Sequence, residues 1–548
     1  MKLKELIISI LTNIPTFYVR VDKNILTRCK WINKLWHFYI FFIKIYRSSD
    51  YPYFPQYCFK KYVDYIKYNI AKGVITKEYI INLWLDYFYS VSDDEKYFMT
   101  KLFFESGFLD NNICKIIIDY CKKTLNISHR YYTINEISMQ TFKYANGFYA
   151  DFYNDRKEIL KIVAQETCQK IKQKNKNRGK KIVCIVTYML GPDLSNSVQR
   201  VASMIANNIS CNYDQVYVVS GENFYIGNEE KLFNYLCFRK RSSLQYVNEI
   251  HKLFNENVEV FIPDANEFQK RNQQVLDFIY DISPEVIIDM SDEMSSLSYY
   301  YSQDFPTYYI PLRSNASSIF FTYILGARWK YEEGNKIFNS IDSDKIIEWM
   351  FPEYVPPKNR NFTKQDIGVA KDCFVIISIG NNGLYSDSFC DLMANTLLEY
   401  PKFIWLFVGT EPSDYLKNEY NSLIKQRRII IWGREKELSG LCAACDVHLR
   451  SFSTGGSGAT AIACQNGLPV VMPDFVCDPM RWLGRDFSKL HTEDDIIKEI
   501  IKLYEDKFYY QQQKDRVLNL VKKASDSEFW WGKFCKIIRG NNGAKSEN

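Results

Sequence analysis

The feature that most constrains the fold is an alternation of short apolar runs with longer helical segments, which begins at Ile182 and begins again at Phe374. The first series predicts a helix over 197–207, a helix that runs through Leu276, and strands at 182–187, 215–220, 258–262, 286–289 and 307–311. The second series predicts strands at 374–379, 403–408, 429–431, 447–449 and 468–472. Strands that alternate with helices pair in parallel through right-handed crossovers. We therefore predict an α/β chain with two Rossmann-like domains in tandem.

The region before these series has a different period. Apolar residues such as Tyr62, Ile66 and Ile70 recur at helical spacing, which predicts an all-helical domain. The basic stretch at 170–181 carries little apolar surface and separates the two regions. The predicted parts are a helical domain over 1–170, Rossmann-like domains over 180–355 and 360–520, a C-terminal helix over 521–540 and a disordered tail over 541–548.

Composition narrows the function classes. The 548 residues exceed what one core organises, and three domains fit that length. Lysine and arginine number 70 against 64 acidic residues, so the charge of +6 is spread thinly and we expect no nucleic-acid partner. The 15 cysteines are scattered and odd in number, which favours free thiols in a reducing cytoplasm.

The start of the chain has no small-residue cleavage site, so we expect no export. Its most apolar stretch, 35–43, is far shorter than the roughly 20 residues that cross a bilayer. Lys34 and Lys44 flank this stretch and could seat it on an anionic membrane surface. A core-facing aromatic helix is the favoured interpretation, so peripheral membrane contact is an alternative that we do not favour.

A glycine-rich turn is the strongest functional signal. After the strand predicted at 447–449, the sequence SFSTGGSGATAIACQNGLPVVMP begins at Ser451 and leads into a predicted helix. The turn residues assigned to a ligand are Thr454, Gly455, Gly456, Ser457 and Gly458. Glycines let backbone amides approach a ligand closely, and a helix N-terminus favours an anion, so a diphosphate is the predicted occupant. The alternative is a turn needed only for tight packing of helix on sheet.

The run from Ile429 to Pro473 resembles the nucleotide-sugar half of the GT-B glycosyltransferases. In that family a strand ends in glycine and a polar residue, an aspartate precedes the next strand, and the phosphate turn and its helix end in Gly-x-Pro. The matching residues here are Gly433, Arg434, Asp446, Gly467 and Pro469. The pattern F-x-x-G-x-x-G at Phe452, Gly455 and Gly458 is similar to bacterial cytoplasmic adhesin N-glucosyltransferases and O-GlcNAc transferases.

This resemblance implies a GT-B architecture, a nucleotide-sugar donor such as a UDP-sugar, and a protein or glycan acceptor. It implies that 180–355 is the acceptor domain, that 360–520 is the nucleotide-sugar domain, and that the C-terminal helix crosses back. Trp530 and Trp531 would then cover the hinge. No permanently bound cofactor is expected.

The sequence departs from the retaining members of the family. Many of these carry two glutamates about two helical turns apart, and Thr454 and Ile462 stand at the matching positions. Ribose recognition is therefore unassigned, and Asp474 and Asp478 are the replacement candidates, although aspartates are equally common in turns. The absence of these glutamates favours a reaction that inverts the configuration of the transferred sugar over one that retains it.

Two further loops of the second series are candidates for the donor diphosphate. Gly380 and Asn381 follow the strand at 374–379, where the family touches the diphosphate, although a plain turn is equally consistent. Arg434 is the candidate cation, because a guanidinium grips phosphate oxygens bidentately; a surface arginine is the alternative.

A direct-displacement transferase needs a group that takes the acceptor proton. Asp193, in the loop after the first strand, is the candidate, and Asp289, Asp292 and Glu293 compete with it. His448 alternates within a predicted strand and is interpreted as a core residue. We expect no metal requirement, because the sequence carries no motif for a metal.

Two other functions are weighed. The missing glutamates are also consistent with a non-catalytic GT-B homologue that acts as a binding or chaperone subunit of a glycosylation system. A nucleotide-sugar epimerase would need additional carboxylates, which the sequence does not supply.

Overall fold

A computed structural model shows the architecture. Between residues 63 and 137 it describes the ranges 76–90 and 110–124 and a number of single positions. Beyond them it describes residue 452 and the ranges 153–169, 179–192, 197–222, 242–291, 296–311, 320–326, 343–354, 356–380, 385–409, 412–450, 455–474 and 477–543. The apolar stretch at 35–43 lies outside these residues.

The described residues before the first strand lie in helices and turns. Three helices of this region are described from end to end: α1 (Lys77–Ser90), α2 (Asn111–Lys123) and α3 (Tyr153–Thr167). Asp110 caps α2, since its side chain accepts a hydrogen bond from the Ile113 N–H at 2.8 Å. Ile117, Ile118 and Cys121 of α2 are buried in the core of this region, as the helical spacing predicted.

The first α/β series follows. Its strands are β1 (Ile182–Thr187), β2 (Gln215–Ser220), β3 (Val258–Phe261), β4 (Val286–Met290), β5 (Thr307–Tyr309), β6 (Tyr323–Gly326) and β7 (Ile346–Glu348). Its helices are α4 (Ser197–Ile209), α5 (Val247–His251), α6 (Phe268–Ile282) and α7 (Ser298–Asp304). The strands form one sheet in the order β3-β2-β1-β4-β5-β6-β7. The prediction stopped at β5 and missed β6 and β7, whose apolar runs are too short to stand out.

The second series forms a separate sheet. Its strands are β8 (Phe374–Ile379), β9 (Phe403–Val408), β10 (Ile429–Gly433), β11 (Val447–Leu449) and β12 (Val470–Val471), in the order β10-β9-β8-β11-β12. Its helices are α8 (Lys364–Ile367), α9 (Asp387–Glu399), α10 (Asp414–Glu419), α11 (Asn421–Lys425), α12 (Leu438–Cys442), α13 (Ser457–Gln465), α14 (Met480–Leu483), α15 (Glu493–Glu505), α16 (Lys507–Ala524) and α17 (Ser527–Gly543). Each paired strand in this sheet is parallel to its neighbour.

Central strands of both sheets are continuous apolar runs because helices cover both of their faces. Every residue of β1 and of β9 is buried. On one face of the second sheet, Phe389 of α9 and Ile500 of α15 pack with Trp405 of β9. On the other face, Leu441 of α12 and Ala463 of α13 pack with Leu406. The prediction of two Rossmann-like α/β sheets behind a helical region is confirmed.

The described residues group into two compact units. Those up to Thr307, with Phe320 and Phe321, form the first unit, and the remaining described residues from Tyr308 onward form the second. The domain boundaries predicted from the sequence stay predictions.

The C-terminal helix α17 packs within the second unit on the segment that follows β7. Trp531 contacts Trp349 and Phe351, with ring centroids 5.9 and 5.6 Å apart. The Trp349 indole N–H also donates to the Trp530 carbonyl at 3.0 Å. Trp531 is therefore a packing residue.

Candidate functional site

The second sheet has a reversal of strand order at its centre. The chain proceeds from β8 to β9 and β10 on one side, and then places β11 and β12 on the other side of β8. In open α/β sheets, ligands bind outside the carboxyl ends of the strands at such a switch point. The residues after β8 and after β11 are therefore the first place to look for a site.

Glycines directly follow both β8 and β9. Gly380 directly follows β8, and a Cβ atom added to it would meet no atom within 4 Å. Gly409 follows β9 and lies so close that its own added Cβ would be 3.4 Å from the Gly380 carbonyl oxygen. Both glycines have a positive φ, +149° and +86°, which other residues rarely adopt, and the absence of side chains leaves room for a ligand to approach the backbone.

Aromatic packing anchors the turn that follows β11. The Phe452 ring contacts Tyr385 and Phe389, with centroids 5.4 and 5.0 Å apart. The Tyr385 hydroxyl lies 2.8 Å from Ser378 Oγ in β8 and donates to the Leu449 carbonyl at 3.2 Å. This buried contact ties the ends of β8 and β11 together, and burial raises the pKa of Tyr385, so its hydroxyl stays neutral.

Arg450, at the end of β11, holds the turn that follows it. Arg450 is buried, with a relative exposure of 3%. The guanidinium donates a hydrogen bond to the Gly455 carbonyl, and the Arg450 backbone N–H donates to Val471 at 2.9 Å. The Arg450 side chain therefore holds the Gly455 carbonyl of the turn to the end of β11.

Helix α13 begins with a glycine. Gly456 is its N-cap residue, with φ +96° and ψ 21°, and no side chain caps the first turn. Gly456 is exposed, and an added Cβ would meet open space. The first amides of a helix have no partners within the helix, and the helix dipole adds a partial positive charge there. An anion can therefore bind at the start of α13.

Ser457, the first residue of α13, is buried and its hydroxyl is engaged. It donates to Glu353 Oε1 at 2.6 Å and accepts from the Trp482 indole N–H at 2.9 Å. Ser457 can therefore serve a ligand only through its backbone. Sequence reasoning missed Glu353, because an acidic residue in a proline-rich connecting segment carries no signal of its own.

Three of the other predicted donor-site residues, Gly458, Arg434 and Asp478, are described by the structure. Gly458 lies in the first turn of α13 and is half-buried. Arg434 is exposed and directly follows β10. In the sheet, β10 lies three positions away from β11, so the two strands are about 14 Å apart at the usual strand spacing. Asp478 is half-buried in the turn before α14, where its carbonyl accepts from the Arg481 N–H at 3.2 Å. Asn381 and Thr454 lie outside the described residues.

Asp474, the other candidate for ribose recognition, has a protein partner. Its carboxylate forms an ion pair with Arg485 at 2.8 Å, and its side chain is 14% exposed. This pairing favours a structural role.

The first sheet has its own switch point, between β1 and β4. In the loop after β1, the Leu190 carbonyl accepts from Ser243 Oγ at 3.0 Å, and the Gly191 N–H donates to the Gln199 side chain at 3.2 Å. Asp193, the candidate catalytic residue, lies beyond the described part of this loop, and so do Asp292 and Glu293.

Asp289 ends up inside the protein. It is fully buried in β4, where it accepts hydrogen bonds from the Ser291 N–H at 2.8 Å and from the Tyr301 hydroxyl at 2.9 Å. Burial raises the pKa of Asp289 to about 6, although these hydrogen bonds act in the opposite direction. Its contacts are those of a residue that holds the end of β4, and they do not support the alternative role as the acceptor base.

A second acidic residue at this edge was missed. Glu222 follows β2, is buried, and has a left-handed backbone with φ 50°. Its carboxylate accepts from Ser220 Oγ at 2.7 Å and from the Ser243 N–H at 3.1 Å. A strained residue of this kind is typical of functional sites, but the sequence offers no sign of the strain.

His448, which the sequence analysis interprets as a core residue, is buried, and so is Cys442 of α12. His448 contacts the Ile377 carbonyl at 3.2 Å through Nδ1, and burial lowers the pKa of His448 to about 4. Burial likewise raises the pKa of Cys442 to about 12, so this thiol stays protonated. These residues have a packing role.

Within the part of the chain that the structure describes, no cluster of three or more histidine, cysteine or acidic side chains is arranged to hold a metal ion. Likewise, none of the described helices has the length and apolar character needed to span a bilayer.

Comparison with known proteins gives matches among solved structures alone: no family model matches, and no curated protein sequence matches. The O-GlcNAc transferase of Thermobaculum terrenum is 10% identical, with 91% of this chain and 92% of that chain covered and a TM-score of 0.49. Anabaena HepE in complex with UDP is 13% identical, with 66% and 100% covered and a TM-score of 0.47. The lipopolysaccharide outer core galactosyltransferase WaaB is 15% identical, with 66% and 99% covered and a TM-score of 0.45. These structures belong to the GT-B class.

Proposed function

We propose that this chain is a metal-independent glycosyltransferase of the GT-B class, which moves a sugar from a UDP-sugar to a protein or glycan acceptor. One observation carries the proposal: a helix of the second sheet begins at the switch point with a glycine that opens on free space and with no side-chain cap. A side-chain cap is the usual way to satisfy these amides, so a site without one suits an anionic ligand.

The diphosphate of the donor would lie against Gly455, Gly456, Ser457 and Gly458, with Gly380 facing it from the end of β8. Backbone amides and the dipole of α13 would stabilise the negative charge that grows on the diphosphate as the sugar leaves. This is the part of catalysis that a metal ion supplies in other enzymes, which is why we propose a reaction without one.

The side chains around this core have more limited proposed roles. Thr454 and Asn381 would contact the diphosphate, and Arg434 and Asp478 would contact the donor from the flanks of the site. Asp193 is the proposed base that takes the proton of the acceptor hydroxyl or amide, since it belongs to the loop after β1 at the switch point of the other sheet.

The first test is donor binding. We expect UDP to raise the melting temperature of the purified chain, because a ligand that binds only the folded state stabilises it. GDP and ADP serve as controls for the base. If none of the three nucleotides changes the melting temperature at millimolar concentration, the donor site is wrong.

The second test separates an enzyme from a non-catalytic homologue. The purified chain is incubated with UDP-glucose and with UDP-N-acetylglucosamine, with and without EDTA, and released UDP is measured. Release that EDTA leaves unchanged supports a metal-independent transferase. Tight UDP binding without release, in the presence of cell extract as a source of acceptors, favours a binding or chaperone subunit instead.

A further inference from the structure

Glu353 lies in the segment that connects the last strand of the first sheet with the second sheet. Its side chain is 4% exposed. Its backbone N–H donates to the carbonyl of Ala524, the last residue of α16, at 2.9 Å. A glutamate that is this deeply buried is rare unless its charge has a partner.

The partners of Glu353 come from two elements of the second unit. Oε1 accepts from Arg481 Nε of α14 at 3.1 Å, and the guanidinium makes a second contact with the same oxygen. Oε1 also accepts from Ser457 Oγ at 2.6 Å. The Trp482 indole N–H completes the cluster by donating to Ser457 Oγ at 2.9 Å. We call these four residues the Glu353 cluster.

The cluster meets the donor site at Ser457, which is the first residue of α13 and follows the exposed Gly456. A phosphate held by backbone amides requires those amides to be aligned within about 0.5 Å. Phe452 and Arg450 anchor the start of the turn, but the exposed and half-buried glycines that follow have no side chains to fix their conformation. The hydroxyl of Ser457 is the first side-chain attachment of α13 to the rest of the unit.

We propose that Glu353 is a positioning residue for donor binding: it fixes Ser457, and through Ser457 the first amides of α13, in the orientation that binds the diphosphate. This inference rests on the function proposed above. It adds that the connecting segment between the two sheets is part of the donor site, although none of its residues would touch the nucleotide.

The charge of Glu353 makes the proposal testable. A positioning role and a purely electrostatic role of Glu353 predict opposite changes in UDP affinity. A carboxylate near the start of α13 repels an anionic ligand, so removal of the charge alone would strengthen UDP binding. Loss of alignment would weaken it. The sign of the change in UDP affinity therefore distinguishes a positioning role from a purely electrostatic one.

The main variant is Ser457→Ala, which leaves the backbone amide and the Glu353–Arg481 ion pair in place. We expect UDP affinity measured by calorimetry to fall about tenfold, since the lost hydrogen bond is to a charged group. Ser457→Thr keeps the hydroxyl and should recover most of the affinity. Glu353→Gln keeps the oxygen that accepts from Ser457 and Arg481 but weakens both hydrogen bonds by removing the charge, so it should weaken binding less than Ser457→Ala does.

Asp446→Asn is the matched control. Asp446 is also a largely buried carboxylate and is paired with Lys364 at 2.8 Å. It directly precedes β11 and therefore lies at the amino end of that strand, whereas the proposed site lies at the carboxyl end. We expect this variant to lower the melting temperature and to leave UDP affinity unchanged.

Trp482 supplies a signal that a merely structural role would not move. Because its indole N–H contacts Ser457, UDP binding should change tryptophan emission in the native protein, and Trp482→Phe should abolish that change. Ser457→Ala should reduce it. Unchanged affinity and unchanged emission in Ser457→Ala, or tighter UDP binding by Glu353→Gln, would overturn the positioning role while the donor site stands. Failure of the native protein to bind UDP would overturn both proposals.

Discussion

Gly456 and Ser457 are neighbours at the start of α13 but contribute in different ways. Gly456 has a left-handed backbone that glycine adopts without strain, and it leaves the space in front of the helix empty. Ser457 is buried and fastens the helix to Glu353. The proposed site therefore needs one residue with no side chain beside one whose side chain is fully engaged.

The first prediction at this scale concerns Gly456→Val. The valine would fill the space proposed for the diphosphate, so we expect UDP binding to be lost in calorimetry. The left-handed backbone adds a stability cost of about 1–2 kcal/mol. Gly73→Val is the control, because Gly73 also has a positive φ and open space around its Cβ, yet it lies in the helical region. Unchanged UDP affinity in Gly456→Val would contradict the assignment of the turn.

The second prediction concerns the pH dependence that buried Asp289 introduces. Its pKa of about 6 in the folded protein is above the ordinary aspartate pKa of 3.8, so the folded protein binds this proton more tightly than the unfolded chain does. The contribution is favourable below about pH 4 and is lost as the pH rises through 6. A shift of this size corresponds to roughly 3 kcal/mol.

Asp289→Asn removes this dependence. The stability of the native protein relative to the variant should therefore improve as the pH falls from 7 to 4, as measured by urea unfolding at each pH. The comparison between the two proteins cancels the titration of other groups. A difference that stays constant over this range would show that Asp289 does not have a raised pKa.

At the scale of elements, α17 is stabilised by the aromatic cluster on the segment after β7. Trp531 is 5% exposed and packs against Trp349, Phe351 and Phe534. Phe529 lies in the first turn of the same helix and is 57% exposed. The two residues have similar chemistry and opposite environments.

Trp531→Ala is expected to lower the free energy of unfolding by about 3–5 kcal/mol, because it removes a large buried ring. Phe529→Ala should change it by no more than about 0.5 kcal/mol. Urea unfolding of both variants tests this. Equal effects would mean that α17 does not dock through its tryptophan face.

The same scale shows why element prediction succeeded where it did. The bounds predicted for β1, β8 and β9 match the structure, because a strand buried on both faces is an uninterrupted apolar run. For β6 and β7, the short strands YILG and IIE look like any half-buried segment. Their place in the sheet follows from pairing with neighbours far along the chain, such as Ile324 with Ile346.

At the scale of the whole molecule, the second unit has its own core. Three apolar clusters that cover its sheet contain no residue before Met350 or after Ala524. One of them depends on the C-terminal helices, since Val517, Val521 and Ala524 of α16 pack with Met472 and Met480.

We therefore expect a fragment of residues 349–543 to fold cooperatively and to bind UDP with an affinity comparable to that of the full chain. Circular dichroism melting and calorimetry test the two parts of this expectation. A fragment of residues 349–505 is the control and should not fold, because it lacks α16 and leaves the cluster around Met472 open. If the longer fragment folds but does not bind UDP, residues outside 349–543 are required for the donor site.

The sequence by itself determined the two parallel sheets and the glycine turn after β11, because apolar runs and glycines act through local backbone preferences that a single chain segment expresses. The tertiary structure alone decided that Glu353 meets Ser457, that Asp289 is buried, and that Arg434 follows an edge strand. These facts depend on which distant segments pack together. A side chain's burial and partners are set by that packing, and no local pattern encodes them.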